Sequence, residues 1–273
     1  MSEVVGQTKL ISEISKLLNI FKSSESEIRP HFILTGPSGS GKSYTIATLC
    51  NSLKLPYVEI NAAQLTKEGI SGNSVSKALT PLAKTGGKPT VCFVDEFDKL
   101  FISGNCNSDL AHESTNGVQN EFLKILESDE TAIFGDYGKY INISIKNVLF
   151  IFAGAFNGED EITLDRLREL GLKTEFLGRV GLVYNTQRLN IEDLYLILDN
   201  HDLLDKYLEL FDKTSKDDVV NILREKITEN YENNTLGARM ITTLIHQFFI
   251  KGGFKNNNDV KKITFQKKLS LND

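Results

Sequence analysis

An α/β domain built on a parallel sheet, followed by a smaller and mainly helical domain, is the architecture this 273-residue sequence predicts. Three observations carry it. Short apolar β-type runs alternate with helical segments up to about residue 190. A glycine-rich octet, Gly36-Pro37-Ser38-Gly39-Ser40-Gly41-Lys42-Ser43, joins the first such run to a helix. Beyond about residue 190 the strand-like runs give way to helical periodicity.

Taken in order, His31-Phe32-Ile33-Leu34-Thr35 is a buried strand, and residues 42–53 form the helix after the octet. Residues 57–61, 90–94, 147–152 and 180–184 are the further strands. Helices are expected over 73–84 and over 115–128, where Val118, Phe122, Leu123 and Leu126 recur at helical spacing. Strands alternating with helices imply a five-stranded, mostly parallel sheet covered on both faces, with ligands at the carboxyl ends of its strands. Segments 191–213, 215–231 and 235–251 read as helices, and a short strand is possible at 260–266. The division falls into a large domain, 1–188, and a small one, 189–273, with the hinge near Gln187 to Ile191.

The octet matches G-x-x-x-x-G-K-[ST] in full. Its glycines let successive backbone N–H groups turn inward and cradle phosphate oxygens. Lys42 can place its ammonium on the β- and γ-phosphates of a nucleotide, and the Ser43 hydroxyl can ligate Mg²⁺. Tyr44 follows on the helix, whose N-terminus faces the bound anion. A glycine-rich turn could carry the same spelling, but strand, loop and helix stand here in the order phosphate binding needs.

Val91-Cys92-Phe93-Val94-Asp95-Glu96 is an apolar strand ending in two acids, the Walker B pattern. Asp95 would hold Mg²⁺ through water and Glu96 would polarise an attacking water. Alone, such a pair suits a plain surface; beside a phosphate loop it gains this chemistry.

Composition narrows the function classes. The chain is 40% hydrophobic and 25% charged, with a net charge of −5, which argues against a general binder of nucleic acid or anionic membrane. Lys251, Lys255, Lys261, Lys262, Lys267 and Lys268 collect near the end and read as a solvated basic surface. Cys50, Cys92 and Cys106 show no C-x-x-C spacing, and the four histidines are scattered. No metal site is expected beyond a nucleotide-bound Mg²⁺. With no apolar leader and no run of transmembrane length, a cytoplasmic protein is expected.

Several motifs in order resemble the AAA+ ATPases, and within them the ClpX/HslU unfoldase branch. They are Val5-Gly6-Gln7, the phosphate loop, Asp95-Glu96-Phe97-Asp98-Lys99, Gly117-Val118-Gln119 before Phe122-Leu123-Lys124, and Phe150-Ile151-Phe152-Ala153-Gly154-Ala155-Phe156. Glu175-Phe176-Leu177-Gly178-Arg179 and Gly237-Ala238-Arg239 complete the series, from about residue 4 to 250. The resemblance implies an ATPase with ATP and Mg²⁺ as cofactors. Arg179 matches the arginine finger, which reaches the γ-phosphate held by a neighbouring subunit. Arg239 matches the sensor-2 arginine, and Val4 and Val5 match the segment against the adenine ring. Taken alone, each arginine reads as a surface salt bridge or as a buried arginine paired with an acid such as Glu175, and the motif context favours the functional roles. Asn157 is either a sensor-1 polar group or a turn-forming Asn-Gly. A finger supplied in trans requires several subunits, so the resemblance implies a homohexameric ring in which the small domain rocks against the large one.

Where the pattern departs, it shapes the expected role. The pore loop of ClpX-like unfoldases corresponds to Glu68-Gly69-Ile70-Ser71-Gly72, with Ile70 in place of the aromatic; gripping a threaded chain and lying as a plain surface loop are equal readings. A second, polar pore loop is expected near Asp109 to Asn116. Thr131 to Ser144 has no match to the basic pore-entry loop, and Gly158 to Thr174 has no Ile-Gly-Phe loop for a ClpP-type peptidase. The zinc-binding N-domain is also expected to be absent. The function expected is ATP-driven remodelling or unfolding of a protein partner without ClpP. The alternatives are a nucleic-acid motor or loader and a nucleotide-regulated scaffold.

Overall fold

A computed structural model of the chain describes residues 4–66, 73–102, 109–135, 138–211 and 215–254. The strands are β1 (Phe32–Thr35), β2 (Tyr57–Asn61), β3 (Thr90–Asp95), β4 (Glu130–Phe134), β5 (Tyr140–Ser144), β6 (Val148–Ala153) and β7 (Leu182–Asn185). The described residues form two compact units, one drawn from 7–37 and 41–187 and the other from 4–6, 38–40 and 188–254.

The larger unit holds a five-stranded sheet in the order β2-β3-β6-β1-β7, with every neighbouring pair parallel. Its strands follow the five expected apolar runs to within one or two residues. β1 and β6 are buried along their whole length because helices cover both faces of the sheet. Alternate residues feed two separate cores. Phe32 and Leu34 of β1, Val91 and Phe93 of β3, and Leu149 and Ile151 of β6 point to one face. That face is covered by α1 (Thr8–Ser23), through Ile14, Leu18 and Phe21, and by α2 (Lys42–Leu53), through Ile46 and Leu49. Ile33, Cys92, Val94, Phe150 and Phe152 point to the other.

The second face is covered by α4 (Asp109–Glu127) and by two short helices, α5 (Leu164–Glu169) and α6 (Thr174–Arg179). A further short helix, α3 (Val75–Ala78), is followed by a 3-10 segment over Thr80–Thr85, where a single helix over 73–84 was expected. Pro81 stands at the start of that 3-10 segment, where its missing N–H is tolerated. At the centre of this core Phe97 lies against Phe152, at 4.6 Å between ring centroids, and against Phe122 and Phe176. Each fully buried ring of this kind contributes roughly 1.5–3 kcal/mol.

Further features depart from the expectations. α1 and the antiparallel hairpin β4–β5 lie outside the expected elements. Asp109 to Asn116, expected as a polar pore loop, forms the first turns of α4. The expected helix 191–213 is broken into α7 (Ile191–Asp199) and α8 (Asp202–Leu210), because His201 Nδ1 accepts the Leu203 N–H and starts a new helix. With α9 (Lys216–Asn230) and α10 (Arg239–Lys251), these helices enclose a core of Leu194, Leu198, Leu223, Ile241, Ile245 and Phe248 in the smaller unit. The expectations at Glu68–Gly72 and 260–266, and those at all the grouped lysines except Lys251, lie outside the described residues.

His31 adds a pH-dependent element just before β1. Its Nδ1 accepts the Phe150 N–H at 3.0 Å, which requires the neutral ring. Burial, then the Arg29 charge, lowers its pKa from 6.5 to about 4. Below pH 6.5 the unfolded chain takes up a proton that the folded chain refuses until about pH 4. Stability is therefore lost as pH falls through that window, by about 2 kcal/mol between neutrality and pH 5. His31→Asn keeps an acceptor and does not titrate, so the wild-type advantage over this variant should shrink by that amount. Urea unfolding at pH 7.5 and pH 5 measures it, and an equal advantage at both values contradicts the assignment.

Candidate functional site

The carboxyl ends of β1 and β3 flank that of β6, and the octet follows β1 while Asp95 and Glu96 stand at the end of β3. β1 runs into the octet, whose turn demands glycine at Gly36. Its φ is +133°, and a Cβ would fall 2.0 Å from Thr186 Oγ1 and 2.5 Å from Thr186 O. Thr186 is held in place, donating N–H and Oγ1 to Thr35 O at 2.8 and 3.0 Å. Gly36→Ala should therefore cost at least about 2 kcal/mol and weaken nucleotide binding. Chemical denaturation and nucleotide titration check both effects.

At the loop's end Gly41, at φ 89°, is the N-cap of α2, so the N-terminus of the helix follows directly on the loop. The Lys42 ammonium is buried and donates to Gly36 O at 2.7 Å and Pro37 O at 3.0 Å. Ser43 Oγ donates to Asp95 Oδ2 at 3.2 Å, so the last loop residue meets the last residue of β3. A hydroxyl and a carboxylate, both hard oxygen donors, make a set suited to Mg²⁺. Pro37 and Ser43 are half-buried, Ser40 is buried and Tyr44 is exposed.

Glu96 leaves the strand with φ 54°, a left-handed conformation uncommon for a residue with a side chain. Its N–H donates to Asp95 Oδ1 at 2.8 Å, which fixes the turn while its own side chain stays exposed. An exposed carboxylate beside that oxygen pair can accept a proton from water.

Asp98, two residues on, is buried, and its local sequence does not indicate its partner. It accepts the Phe156 N–H at 3.2 Å. Burial pushes its carboxyl above the ordinary range, against the pull of Lys99 and the Phe156 and Ala155 amides. Asp98 thereby ties the Glu96 turn to the loop after β6. In that loop Phe156 and Asn157 are left-handed and Gly158 completes a tight turn, a conformation that Asn-Gly favours. Asn185 is a second unforeseen tie, bonding Thr35 Oγ1 at 2.5 Å and accepting the Ile162 N–H at 2.7 Å.

Arg179 ends α6 and is exposed, with Nη2 donating to Glu127 Oε1 at 3.0 Å. A surface ion pair is thus present, with Glu127 rather than Glu175 as the acid. Within the smaller unit, Ser38–Ser40 pack on Leu236–Arg239. A Cβ on Gly39 would sit 2.0 Å from Leu236 O, and one on Gly237 would sit 2.5 Å from Gly39 O. Only two facing glycines allow that approach, which is closed by the Ala238 N–H on Gly39 O at 3.1 Å. Arg239 Nη1 donates to Ser38 Oγ at 3.3 Å. Val4 and Val5 are half-buried ahead of Gly6, whose α-carbon faces Leu189 and Asp193 of the same unit.

No helix among the described residues is long and apolar enough to cross a membrane. A model of the ATPase family associated with various cellular activities (AAA) matches residues 32–168. The chain is 25% identical over 297 residues to the ATP-dependent Clp protease ATP-binding subunit ClpX of Bacteroides thetaiotaomicron, covering 90% of this chain and 71% of that protein. It is also 25% identical over 280 residues to the ClpX subunit of Bacteroides fragilis, covering 84% and 67%.

Proposed function

This chain belongs to the AAA family of ATPases, and from that premise we propose that it is a ClpX-like ring ATPase that uses ATP to remodel or unfold a protein partner without a ClpP-type peptidase. The observation that carries the catalytic half is the Ser43–Asp95 contact at 3.2 Å, with Glu96 turned out beside it. Ser43, directly, and Asp95, through water, would hold Mg²⁺. That ion supplies positive charge to phosphate oxygens when bound.

The protein's own groups supply the rest. The turn from Gly36 to Gly41 offers backbone N–H groups to the phosphates, and the Lys42 ammonium neutralises them. Glu96 orients a water and takes its proton as the water oxygen attacks the γ-phosphorus and the bond from that phosphorus to the β,γ-bridging oxygen breaks, with ADP as the leaving group. Arg239 contributes a guanidinium beside Ser38, and Val4 and Val5 contribute an apolar surface for the base. Arg179 is exposed at the end of its helix, which suits a finger offered to a neighbouring subunit in a homohexameric ring.

The remodelling half rests on the similarity to ClpX subunits and on the order of shared motifs. The stretch from Phe156 to Thr174 passes from a tight turn into α5 without an Ile-Gly-Phe tripeptide, which supports a role apart from ClpP. A cytoplasmic location fits this reading. The test is ATP turnover with added protein or DNA. An unfolded protein should raise turnover several-fold and DNA should leave it unchanged. Stimulation by DNA alone sinks the proposal in favour of a nucleic-acid motor, and no response to either favours a scaffold.

A further inference from the structure

α6 is only six residues long, too short to hold a direction by its own hydrogen bonds. Its surroundings set its direction, and α4 grips it at both ends. At the start, the buried Gln119 accepts the Lys173 N–H at 3.1 Å, and Lys173 Nζ bonds Asn120 Oδ1. At the finish, Glu127 holds Arg179. Between them Phe176 is fully buried, stacked on Phe97 at 5.1 Å and edge-on to Phe152 at 4.9 Å. Glu127 takes Nη2 of the guanidinium, and among the described residues no other partner engages the Arg179 side chain, which is 54% exposed.

We propose that Glu127 is a positioning residue for the arginine finger. It fixes one edge of the Arg179 guanidinium so that the remaining donors are presented, already oriented, to the phosphates bound by the neighbouring subunit. The proposal rests on the ring reading above, in which Arg179 acts in trans. A half-exposed ion pair contributes little to folding stability, so the pair's physical effect lies in orientation. A long side chain at the end of a short helix otherwise samples many rotamers, and a group already aligned loses less freedom in reaching the transition state.

The experiment compares Glu127→Ala, Glu127→Gln and Arg179→Ala, each alone and mixed with Glu96→Gln subunits, by steady-state ATP hydrolysis and thermal melting. Glu127→Ala should lower kcat about tenfold, with KM and melting temperature unchanged. Glu127→Gln keeps an acceptor and should lose only about twofold. Mixing Glu127→Ala with Glu96→Gln should restore turnover at hybrid interfaces, because Glu96→Gln subunits donate an intact finger to intact Glu127→Ala sites. Unchanged kcat in Glu127→Ala, where Arg179→Ala is inactive and rescued by mixing, overturns the positioning role and leaves the trans finger standing. A fall in kcat that mixing does not rescue, while Arg179→Ala is rescued, makes Glu127 a structural residue and also overturns it. Failure of mixing to rescue Arg179→Ala overturns the trans reading itself.

Discussion

Arg179→Ala is expected to reduce ATP turnover about 10³-fold, while nucleotide binding changes little. The guanidinium is exposed at the end of α6, and its one partner among the described residues is Glu127 on the same unit. Its loss therefore leaves the subunit's own phosphate loop and β3 end intact. In the proposed ring, what the substitution would remove is positive charge at the transferring phosphoryl group of the next subunit, where the effect would fall on the transition state. Turnover and equilibrium binding of a fluorescent nucleotide separate the two effects. A variant that binds nucleotide several hundred-fold more weakly would place Arg179 in ground-state binding, and one of normal turnover would remove it from the chemistry.

Glu96→Gln is expected to lower hydrolysis by about 10²–10³-fold and to accumulate a nucleotide-bound oligomer. The substitution keeps the side chain's size, and the Glu96 N–H still has Asp95 Oδ1 as its partner, so the left-handed turn is retained. The amide cannot take a proton from water at neutral pH, which removes the base without disturbing the oxygen pair of Ser43 and Asp95. Size-exclusion chromatography with ATP should show the oligomer persisting in the variant and decaying in the wild type. Normal turnover in Glu96→Gln would falsify the role given to this carboxylate.

Much of this was legible in the residues themselves. A parallel sheet covered on both faces needs uninterrupted apolar strands, so 31–35, 90–94 and 147–152 were readable as β1, β3 and β6. The octet was equally plain, because a loop that cradles phosphate needs glycines for its turn and a lysine for the phosphate charge at fixed spacing. α1 escaped although Ile14, Leu17, Leu18 and Phe21 recur at helical spacing. The hairpin β4–β5 had its signal in Gly135 and Gly138 between two β-type runs. The break between α7 and α8 depends on a single histidine cap, which helical periodicity does not register.

The ties around the site were hidden for a different reason. Asp98 reaches Phe156, Gln119 reaches Lys173, and Glu127 reaches Arg179, each across more than fifty positions of chain. A polar residue's type says that it needs a partner, and its neighbours in sequence do not say which. Sequence alone determined the chemistry on offer: a phosphate loop, two acids at a strand end, and arginines in the order of an AAA ATPase. Tertiary structure decided which groups meet: Ser43 with Asp95, Gly36 with Thr186, and α4 with both ends of the short helix that carries Arg179. The physical reason is range. Turns, caps and apolar periodicity act within a few residues and leave their mark locally, whereas these contacts exist only once packing has brought distant segments within hydrogen-bonding distance.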